Sequence, residues 1–563
     1  MLGKGVRVTA VLAAGALLPG AAAAADPPRW RLAPGQIAEY SLFPITIEKK
    51  SNERKRGDER PFGVFGHRVV DGRSLRPLYP ELGSLAAMVA LTLPPSADGG
   101  KEATVFAPLT DCGPVEVSGK WTSGPRADGK VATSATFDLR HRGPPKSDDF
   151  DRILVDGSLE VSSVYDPGRG VIEQATYDLR ARTVADEGAA KDRKVRESRS
   201  IGELVLRRVR DAKDPTFQPE VDAAIAKGVA WLLKQQPASG LWPLYPDYYG
   251  GSEAIAALAL FACDPERKAG DEALRSAMGF EPTRTYQVAV TMMAIEMKRT
   301  PPGEADLLRS GAIEKPVRNL LPREREWMEK GAKFLRDTAA GPGKWHYPSQ
   351  QHGGRFRPPE PDLSNSQYGV LGLLAAQRCG VPTEEGLWLG ILRSFLQAQE
   401  REGKAVATGG PAPRGWPYRF GDPASGSMTC AGIASVAIAR GVLLEAGRKR
   451  LPPDLAADAE KAIADGFGWL DARWTVEEAP HADGRPRKWL HYHLYALERA
   501  GILAGTKTVG AHDWYGEGAL HLLLTQHADG WWTEETGNLP RKIADTAFAL
   551  LFLKRAVTPI ATR

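Results

Sequence analysis

Two acidic residues lie where helices are predicted to begin, and their carboxyl groups are the first candidates for chemistry. Asp362 precedes the apolar run Ser364–Cys379, and Asp545 lies in the run Ile543–Lys554. A carboxyl group at the mouth of a cavity can act as a catalytic acid or base. At a helix start, Asp also accepts hydrogen bonds from free backbone amides, which stabilises the helix by about 1 kcal/mol. The sequence leaves both interpretations open, a catalytic acid or a helix cap.

Cys430, His491 and His493 form a second group, because thiolate and imidazole are ligands of zinc. Residues two apart on a helix point about 200° away from each other, so at most one of the histidines can join Cys430 at one cavity. The sequence therefore predicts no metal and no cofactor. A zinc ion held by Cys430 and one histidine is the alternative.

Other polar and aromatic residues lie near predicted helix starts. Arg284 and Tyr286 flank one start, and Gln367 lies in the first turns of another helix. If these helices point the same way, their positive dipole ends converge on one mouth and favour an anionic group there. We predict that Arg284, Tyr286, Gln367, Cys430 and His491 line a ligand-binding cavity.

A repeated segment indicates the elements that position these residues. Gln236–Trp242 and Gln526–Trp532 both read Gln, three residues, Gly, any residue, Trp. Such self-similarity is typical of repeat architectures. From Glu220 onward the apolar residues recur with the period of a helix, which predicts six helix pairs. The predicted pairs are Val221–Gln235 with Gly251–Cys263, Asp271–Met278 with Tyr286–Met297, Arg323–Asp337 with Ser364–Cys379, Glu384–Gln399 with Ser427–Leu444, Leu455–Trp469 with Trp489–Ala500, and Tyr515–Leu524 with Ile543–Lys554.

The second helix of each pair is rich in small residues, as in Thr429–Ser435. Small side chains suit the crowded inner ring of a closed barrel, and the longer, more charged first helices suit its outer surface. Six pairs can close into a ring of twelve helices or stack as an open solenoid. The pattern alone leaves closure open. If the ring closes, apolar residues of the last inner helix, including Phe548 and Phe552, are expected to be buried.

The part of the chain before these helices has the alternation of strands. Ser158–Tyr165 and Val171–Leu179 alternate with a period of two around a Gly-containing turn, which predicts a hairpin. Thr133–Leu139 and Glu203–Val209 predict further strands, and two prolines in Asp211–Pro219 mark a boundary. The predicted organisation is a mainly antiparallel β-rich domain over 26–210, a linker over 211–220 and an all-α unit over 221–559.

The first 25 residues resemble an export signal. Lys4 and Arg7 precede the apolar stretch Val8–Leu18, and a run of alanines ends at Ala25. We expect an exported protein, periplasmic or extracellular, with no transmembrane helix after residue 25. The net charge of +5 comes with basic clusters that acidic residues interrupt, so no nucleic-acid partner is predicted. The four cysteines are expected to be free, buried thiols.

The repeats carry a resemblance to a known family. Together with Asn365–Leu373 and Asp545–Leu553, they resemble the terpenoid cyclase/protein prenyltransferase superfamily. Trp489–Arg499 and His512–Glu517 make the chain similar to bacterial proteins described as prenyltransferase and squalene oxidase repeat proteins. The resemblance covers roughly Glu220 to Pro559 and implies an α6/α6 toroid.

The catalytic motifs of that superfamily are not found. No helical unit contains the Asp-x-Asp-Asp motif of the cyclases, and none of the cysteines begins a Cys-Gly-Glu-Gln thioester motif. Asp362-Leu-Ser364 stands where the Asp-x-Cys pair of the prenyltransferase zinc site is expected. Whether the chain is an enzyme is therefore open, because superfamily resemblance indicates fold more safely than activity.

Three functional hypotheses follow. The leading one is an exported toroid that binds an apolar or lipid-like ligand, or a peptide, in its central cavity. The second is a terpenoid cyclase-like or transferase-like enzyme that acts on an isoprenoid, with Asp362 or Asp545 as its acid. The third is a carbohydrate-active α/α barrel enzyme with His491, Tyr492 and Arg284 as acid–base candidates. A deep apolar cavity favours the first two, and an open polar groove favours the third.

Overall fold

A computed structural model shows two compact units, Met1–Asp214 and Pro215–Arg563. The division lies within the stretch 211–220 that the sequence marks as a linker. The structure describes residues 29–33, 35–47, 54–65, 69–70, 74–75, 89–91, 102–109, 113–141, 152–185, 195–236, 242, 250–264, 266–301, 303–309, 318–347, 351–352, 355–356, 360–403, 413–445, 451–482, 489–534, 538–557 and 559. The predicted signal segment and Cys112 lie outside these residues.

The first unit contains an antiparallel sheet of nine strands in the order β2-β1-β11-β10-β9-β8-β7-β6, with β3 also paired to β1. Its strands are β1 Gln36–Ile47, β2 Arg54–Arg56, β3 Arg60–Phe65, β6 Glu102–Leu109, β7 Gly113–Pro125, β8 Val131–His141, β9 Arg152–Asp166, β10 Val171–Ala185 and β11 Val195–Asp211, and the short strands β4 Val69–Val70 and β5 Ser74–Leu75 form a separate pair.

The sequence predicted the mainly antiparallel β character of this unit correctly. The hairpin around Asp166–Gly170 is present as β9 and β10, and Gly170 donates its backbone N–H to the Asp166 carbonyl oxygen at 2.8 Å. Side chains along β8 alternate between buried and exposed, and Phe137 on the buried face packs edge to face against Trp121. One face of the sheet therefore forms the core of the unit.

The second unit is helical. Its helices are α1 Phe217–Lys234, α2 Gly251–Cys263, α3 Asp271–Ala277, α4 Thr285–Lys298, α5 Glu304–Arg309, α6 Pro322–Asp337, α7 Leu363–Arg378, α8 Glu385–Ala398, α9 Gly426–Glu445, α10 Pro453–Asp471, α11 Leu490–Ala504, α12 Trp514–Thr525 and α13 Leu539–Lys554, with the short strand pairs β12 Gln351–His352 with β13 Arg355–Phe356 and β14 Thr508–Val509 with β15 His512–Asp513.

Six helices form an inner ring. Helices α2, α4, α7, α9, α11 and α13 each pack against the next, and α13 packs against α2. The other helix of each predicted pair, namely α1, α3, α6, α8, α10 and α12, packs on the outside of this ring. The predicted α6/α6 toroid is therefore confirmed, and the ring is closed.

The sixth helix pair is joined to the first by specific contacts. Gln526 Nε2 donates to the Ala224 carbonyl oxygen of α1 at 2.9 Å. A Cβ atom placed on Gly228 of α1 would lie 2.8 Å from Cζ3 of Trp532, so the indole ring fills the space that this glycine leaves. Trp532 is fully buried. An open array would leave both of these surfaces exposed.

The repeated tryptophans fasten consecutive helices. In three helix pairs the tryptophan indole Nε1 donates to a carbonyl near the end of the preceding outer helix. The backbone N–H of the same tryptophan donates to a hydroxyl of the following inner helix. These tryptophans are Trp345 (Leu335 carbonyl at 2.8 Å, Ser366 Oγ at 3.1 Å), Trp416 (Phe395 carbonyl at 2.8 Å, Thr429 Oγ1 at 3.1 Å) and Trp532 (Leu522 carbonyl at 2.8 Å, Thr546 Oγ1 at 3.1 Å).

Several details differ from the sequence-based expectations. Helix α13 begins at Leu539 rather than Ile543, because Asn538 accepts a hydrogen bond from the Arg541 amide and a proline occupies the first turn. The short helix α5 was not predicted. Phe548 is half-buried rather than buried, although its ring packs against those of Tyr492 and Tyr495 of α11.

One helix of the described residues, Gly426–Glu445, is long and apolar enough to cross a membrane by length and composition. This helix is α9, and 89% of its most apolar window is buried inside the protein. As an inner helix of the ring, α9 has apolar neighbours within its own unit, which accounts for its composition. The cysteines that the structure describes, Cys263, Cys379 and Cys430, are free, and Cys263 is half-buried.

Candidate functional site

The first turns of several inner helices meet at one end of the ring. The hydroxyl of Tyr286 at the start of α4 bonds to that of Ser364 at the start of α7. Ser364 Oγ in turn lies 2.9 Å from the Tyr492 hydroxyl at the start of α11. His491, the neighbour of Tyr492, lies beside Asp545 of α13. We call this end the mouth of the ring.

An imidazole and two carboxyl groups form a cluster at the mouth. His491 Nδ1 lies 3.7 Å from Glu534 Oε1 and 3.8 Å from Asp545 Oδ1. One oxygen of each carboxyl group and one nitrogen of the imidazole all lie within 4.8 Å of one another. His491 Nδ1 and Asp545 Oδ1 are buried and have no hydrogen-bond partner among the described residues. The unfilled hydrogen-bonding capacity of the site therefore lies between these side chains.

Arg541 holds the two carboxyl groups together from one side. Its Nε donates to Asp545 Oδ2 at 2.9 Å, and its Nη2 donates to Glu534 Oε1 at 3.3 Å. Thr533 Oγ1 donates to the same Asp545 oxygen at 3.0 Å. Asp545 is completely buried, whereas the Glu534 side chain keeps 17% of its exposure, so the cluster opens towards Glu534.

The two carboxyl groups have different acidities. Burial raises the pKa of Asp545, and its interactions with His491 and Arg541 offset only part of this increase. Burial also acts to raise the pKa of Glu534, but His491, Arg541 and the Trp489 amide together outweigh it, and the pKa is lowered. Neighbouring groups with pKa values shifted in opposite directions are suited to acid and base roles.

Trp489 lies beside this cluster in an unusual conformation. Its φ is 86°, in the left-handed region that side chains other than glycine rarely adopt. Its backbone N–H donates to Glu534 Oε2 at 2.8 Å, and its ring lies 3.6 Å from the Arg541 guanidinium. The side chain is 42% exposed. A large aromatic ring is thus held at the surface, beside Glu534, by a strained backbone.

A line of polar side chains leads from the mouth into the ring. Gln367 of α7 donates through its Nε2 to the Tyr492 hydroxyl, and its Oε1 accepts from Arg499 Nη2 at 3.0 Å. The Arg499 guanidinium lies 4.1 Å from the Tyr495 ring and 5.6 Å from the Tyr368 ring. Arg499 is fully buried.

The structure brings four of the predicted site residues to the mouth. His491 and Asp545 belong to the acidic cluster, and Tyr286 and Gln367 belong to the polar line. Asp545 does not cap its helix, because it lies in the second turn and Asn538 is the cap. The capping interpretation of Asp545 is therefore wrong.

The remaining predicted residues lie elsewhere in the architecture. Asp362 caps α7, and its two oxygens accept from the backbone N–H and side-chain amide of Asn365 at 2.8 and 2.9 Å. Arg284 is the half-buried residue that precedes α4. Cys430 is fully buried in α9, and burial raises the pKa of its thiol. Catalytic and ligand-binding roles for these three residues stay predictions.

The residues do not fit a prenyltransferase-type zinc centre. Such a centre needs a thiolate, and neither Ser364 nor the buried Cys430 thiol supplies one. Among the described residues, His491, Glu534 and Asp545 form the one group that could hold a metal. Arg541 already supplies a positive charge to both of its carboxyl groups, and a dication would lie close to that guanidinium. The expected absence of a metal stays a prediction.

Several residues of the site escaped the sequence analysis. Glu534 lies in a loop, Trp489 directly precedes α11, and Arg541 lies in the first turn of α13, ahead of the predicted start at Ile543. Comparison of the repeats gives one signal for Asp545, since it directly precedes Thr546, the hydroxyl that bonds Trp532. The corresponding positions of the third and fourth helix pairs hold Asn365 and Met428. The hydrogen bond between the tryptophan and the inner helix therefore does not require an acid at this position.

Comparisons with known proteins show little. No protein-family model and no curated protein matches the chain. A family 76 glycoside hydrolase from a bovine Bacteroides thetaiotaomicron strain is similar in structure with a TM-score of 0.36 and 10% identity, over 81% of this chain and 99% of that one. A structure of lipovitellin that concerns lipid–protein interactions gives a TM-score of 0.17 and 11% identity, over 84% and 57%. We base no functional conclusion on likenesses of this size.

Proposed function

We propose that the helical unit is a glycoside hydrolase-type enzyme, in which Glu534 and Asp545 flank the bond that is cleaved. The observation that carries this proposal is geometric: the two carboxyl groups have oxygens within 4.8 Å of each other, beside His491, and both accept from Arg541. The opposite directions of their pKa shifts support it. A carboxyl group that stays protonated can act as the general acid, and its ionised neighbour can act as the nucleophile. The exposed ring of Trp489 and the hydroxyl groups at the mouth favour a hydroxylated ring as the substrate.

The separation of the carboxyl groups favours a two-step reaction. Oxygens of Glu534 and Asp545 lie within 4.8 Å of each other. Carboxyl groups about 5–5.5 Å apart are typical of retaining enzymes, whereas inverting enzymes leave about 6.5–9.5 Å for a water molecule. The spacing is therefore closer to the retaining arrangement, in which the substrate carbon bonds to the enzyme.

The proposed steps use only groups of this chain and water. Asp545 donates its proton to the glycosidic oxygen while Glu534 attacks the anomeric carbon, so that the alcohol leaves and a glycosyl ester forms on Glu534. A water molecule then gives a proton to Asp545 and attacks the same carbon, which releases the sugar and frees Glu534. Arg541 and His491 hold Glu534 ionised before the attack.

The test is hydrolysis of a panel of chromogenic aryl glycosides and polysaccharides by the wild type and two variants. We expect Glu534→Ala to abolish turnover. Added azide should restore release of the phenol from an activated aryl glycoside, with the sugar recovered as a glycosyl azide. Asp545→Asn should retain activity only on activated phenols, which leave without a proton. Wild-type inactivity on the whole panel, or full activity of both variants on polysaccharide, would overturn the proposal.

Asp465→Asn is a matched control. Asp465 is also a buried carboxylate that accepts from an arginine, since Arg414 Nε donates to it at 2.6 Å. It lies on the outer helix α10, and its partners there are Arg414 and Lys461 rather than residues of the mouth cluster. This variant loses a similar ion pair and should keep its activity, which separates loss of chemistry from loss of stability.

One observation favours a second function. Phe548 is half-buried on an inner helix, with its ring 5.6 Å from that of Tyr492 and 5.8 Å from that of Tyr495. An aromatic surface inside the ring suits the apolar or lipid-like ligand of our leading sequence-based hypothesis, and an isoprenoid-directed enzyme would use the same surface. Mass spectrometry of small molecules that co-purify with the protein tests this alternative.

A further inference from the structure

The segment after α13 crosses the end of the ring that lies opposite the mouth. Helix α13 ends at Lys554, and Arg378 Nη2 donates to the Pro559 carbonyl oxygen at 3.1 Å. Arg378 is the last residue of α7, and α7 stands opposite α13 in the ring order α2, α4, α7, α9, α11, α13. We call this end of the ring the base and residues 555–559 the strap.

The length of the strap agrees with such a crossing. Neighbouring packed helices lie about 8–10 Å apart, so opposite helices of a ring of six are separated by roughly 16–20 Å. Five extended residues span about 17 Å. The strap therefore reaches from α13 to α7 across the base.

Hydrogen bonds and burial make the strap part of the packed structure. The Val557 N–H donates to Glu498 Oε1 of α11 at 3.0 Å. At the far end, Arg378 Nη1 lies 3.2 Å from Glu296 Oε1 of α4, so the side chain that holds Pro559 is itself held in place. Pro559 is buried and Val557 is half-buried. The strap thus joins α13 to α11 and to α7.

Glu498 is a fully buried carboxyl group with only part of its hydrogen-bonding capacity used. Its Oε1 accepts from Val557, and its Oε2 has no hydrogen-bond partner among the residues that the structure describes. Ionisation of a carboxyl group in such surroundings is costly. The charged groups that act on it are Arg499 of the same helix and Arg555 of the strap. Burial outweighs both and raises the pKa of Glu498 to about 8.

The strap also lies on the route by which water can reach Glu498. The neighbours of Glu498 on α11, Leu497 and Arg499, are buried, whereas Ala556 and Val557 of the strap are half-buried. Release of the strap would therefore hydrate the carboxyl group and leave the helices of the ring in place.

We propose that the strap is a pH-sensitive latch, which stays closed across the base while Glu498 is protonated and opens when Glu498 ionises. This inference goes beyond the proposed function and does not rest on it, because the latch lies at the base and the proposed catalytic groups lie at the mouth. The two can be tested separately.

The direction of the pH effect follows from the two states of the strap. With the strap open, Glu498 is hydrated and titrates near its ordinary pKa of 4.5. Below pH 4.5 the carboxyl group is protonated in both states, and opening does not depend on pH. Between 4.5 and about 8 it ionises in the open state alone, so opening becomes up to about tenfold more favourable per pH unit. Above this range both states are ionised, and the effect levels off.

Hydrogen–deuterium exchange of the full chain, followed by mass spectrometry between about pH 5.5 and 8.5, measures the opening. The readout is the protection factor of the peptide that contains Ala556 and Val557. This factor is the intrinsic exchange rate divided by the observed rate, so the direct effect of pH on exchange cancels. We expect it to fall by roughly tenfold or more over this range, while peptides of α7 and α9 keep their protection. A protection factor that stays constant, or one that falls equally in all inner helices, would overturn the inference.

Glu498→Gln is the decisive variant, because glutamine still accepts from Val557 and cannot ionise. Its strap should have the same protection at both ends of the pH range. Glu253→Gln is the matched control, since Glu253 is also a fully buried carboxyl group with a raised pKa, in the first turn of the inner helix α2. This control should keep the pH dependence of the wild type. Wild-type behaviour of Glu498→Gln would show that another group titrates, and the latch would be refuted.

Discussion

Arg541 Nε lies 2.9 Å from Asp545 Oδ2, one turn away on the same helix, yet the pKa of Asp545 stays above its ordinary value. Complete burial of the carboxyl group outweighs the adjacent guanidinium. Glu534 accepts from the same guanidinium at 3.3 Å and is less buried, and its pKa is lowered. One cation thus serves two carboxyl groups whose pKa values are shifted in opposite directions.

The two carboxyl groups should therefore affect stability with opposite signs. Asp545 has a raised pKa, so the folded protein loses stability as the pH rises above 3.8, the ordinary pKa, through the higher folded value. Asp545→Asn removes this loss and should raise Tm at pH 7. Glu534 has a lowered pKa, so its ionised form stabilises the fold above 4.5. Glu534→Gln should lower Tm at pH 7.

Thermal unfolding at several pH values checks this pair of variants. For both variants, the difference in Tm from the wild type should shrink as the pH falls. For Glu534→Gln it should shrink as the pH drops from 4.5 through the lowered pKa of Glu534. Equal destabilisation by both variants at pH 7 would show that Asp545 is stabilised by Arg541 as an ordinary ion pair, which removes the basis for its role as the acid.

Trp489 offers a test of strain kept for function. A non-glycine residue in the left-handed region costs roughly 1–2 kcal/mol. Trp489→Gly should relieve this cost while it keeps the backbone hydrogen bond to Glu534, so we expect unchanged or higher stability after loss of the contact with Arg541. The value of kcat/KM should fall, chiefly because KM rises. A large decrease in Tm would mean that the ring is a structural element.

The metal content of the protein is a further prediction. We expect far less than one zinc ion per chain in elemental analysis of the purified protein, and activity that chelators leave unchanged. Stoichiometric zinc that is lost in Cys430→Ala would revive the prenyltransferase-type centre. Zinc that is lost in His491→Ala and retained in Cys430→Ala would instead assign the mouth cluster to a metal.

The export signal also remains to be tested. Residues 1–25 predict that the mature protein begins near Asp26 and leaves the cytoplasm. N-terminal sequencing of the protein from cell fractions decides this point, and an intact Met1 on a cytoplasmic product would contradict it.

The sequence predicted the helices well because their pattern is strongly periodic. Thr429–Ser435 reads as an inner helix because a crowded ring admits only small side chains, and α9 lies there. The site was harder to predict. Glu534 lies in a loop that follows Trp532, and no local pattern indicates that a loop carboxylate will meet His491 of another helix. Phe548 was expected to be buried because it lies on the apolar face of its helix. Helical periodicity does not indicate how completely such a face is covered.

Closure of the ring gives the firmest prediction, and the contact between α1 and Trp532 offers a direct test of it. Trp532→Ala should destabilise the helical unit by about 3 kcal/mol or more, as a large-to-small change in a core. Gly228→Ala should also destabilise it, because the added Cβ would lie 2.8 Å from the indole ring and 2.9 Å from Leu550. In an exposed helix the same change normally stabilises, by about 1 kcal/mol.

The two changes should be coupled, because removal of the indole makes room for the new methyl group. Gly228→Ala should therefore cost clearly less in the Trp532→Ala background than in the wild type, with a coupling free energy of about 1 kcal/mol or more from chemical denaturation. Gly386→Ala on α8 is the control, since a Cβ there meets nothing within 4 Å and should stabilise both backgrounds equally. If Gly228→Ala behaves like Gly386→Ala, then α1 and Trp532 are not in contact in solution. The helix pairs would then form an open array rather than a ring.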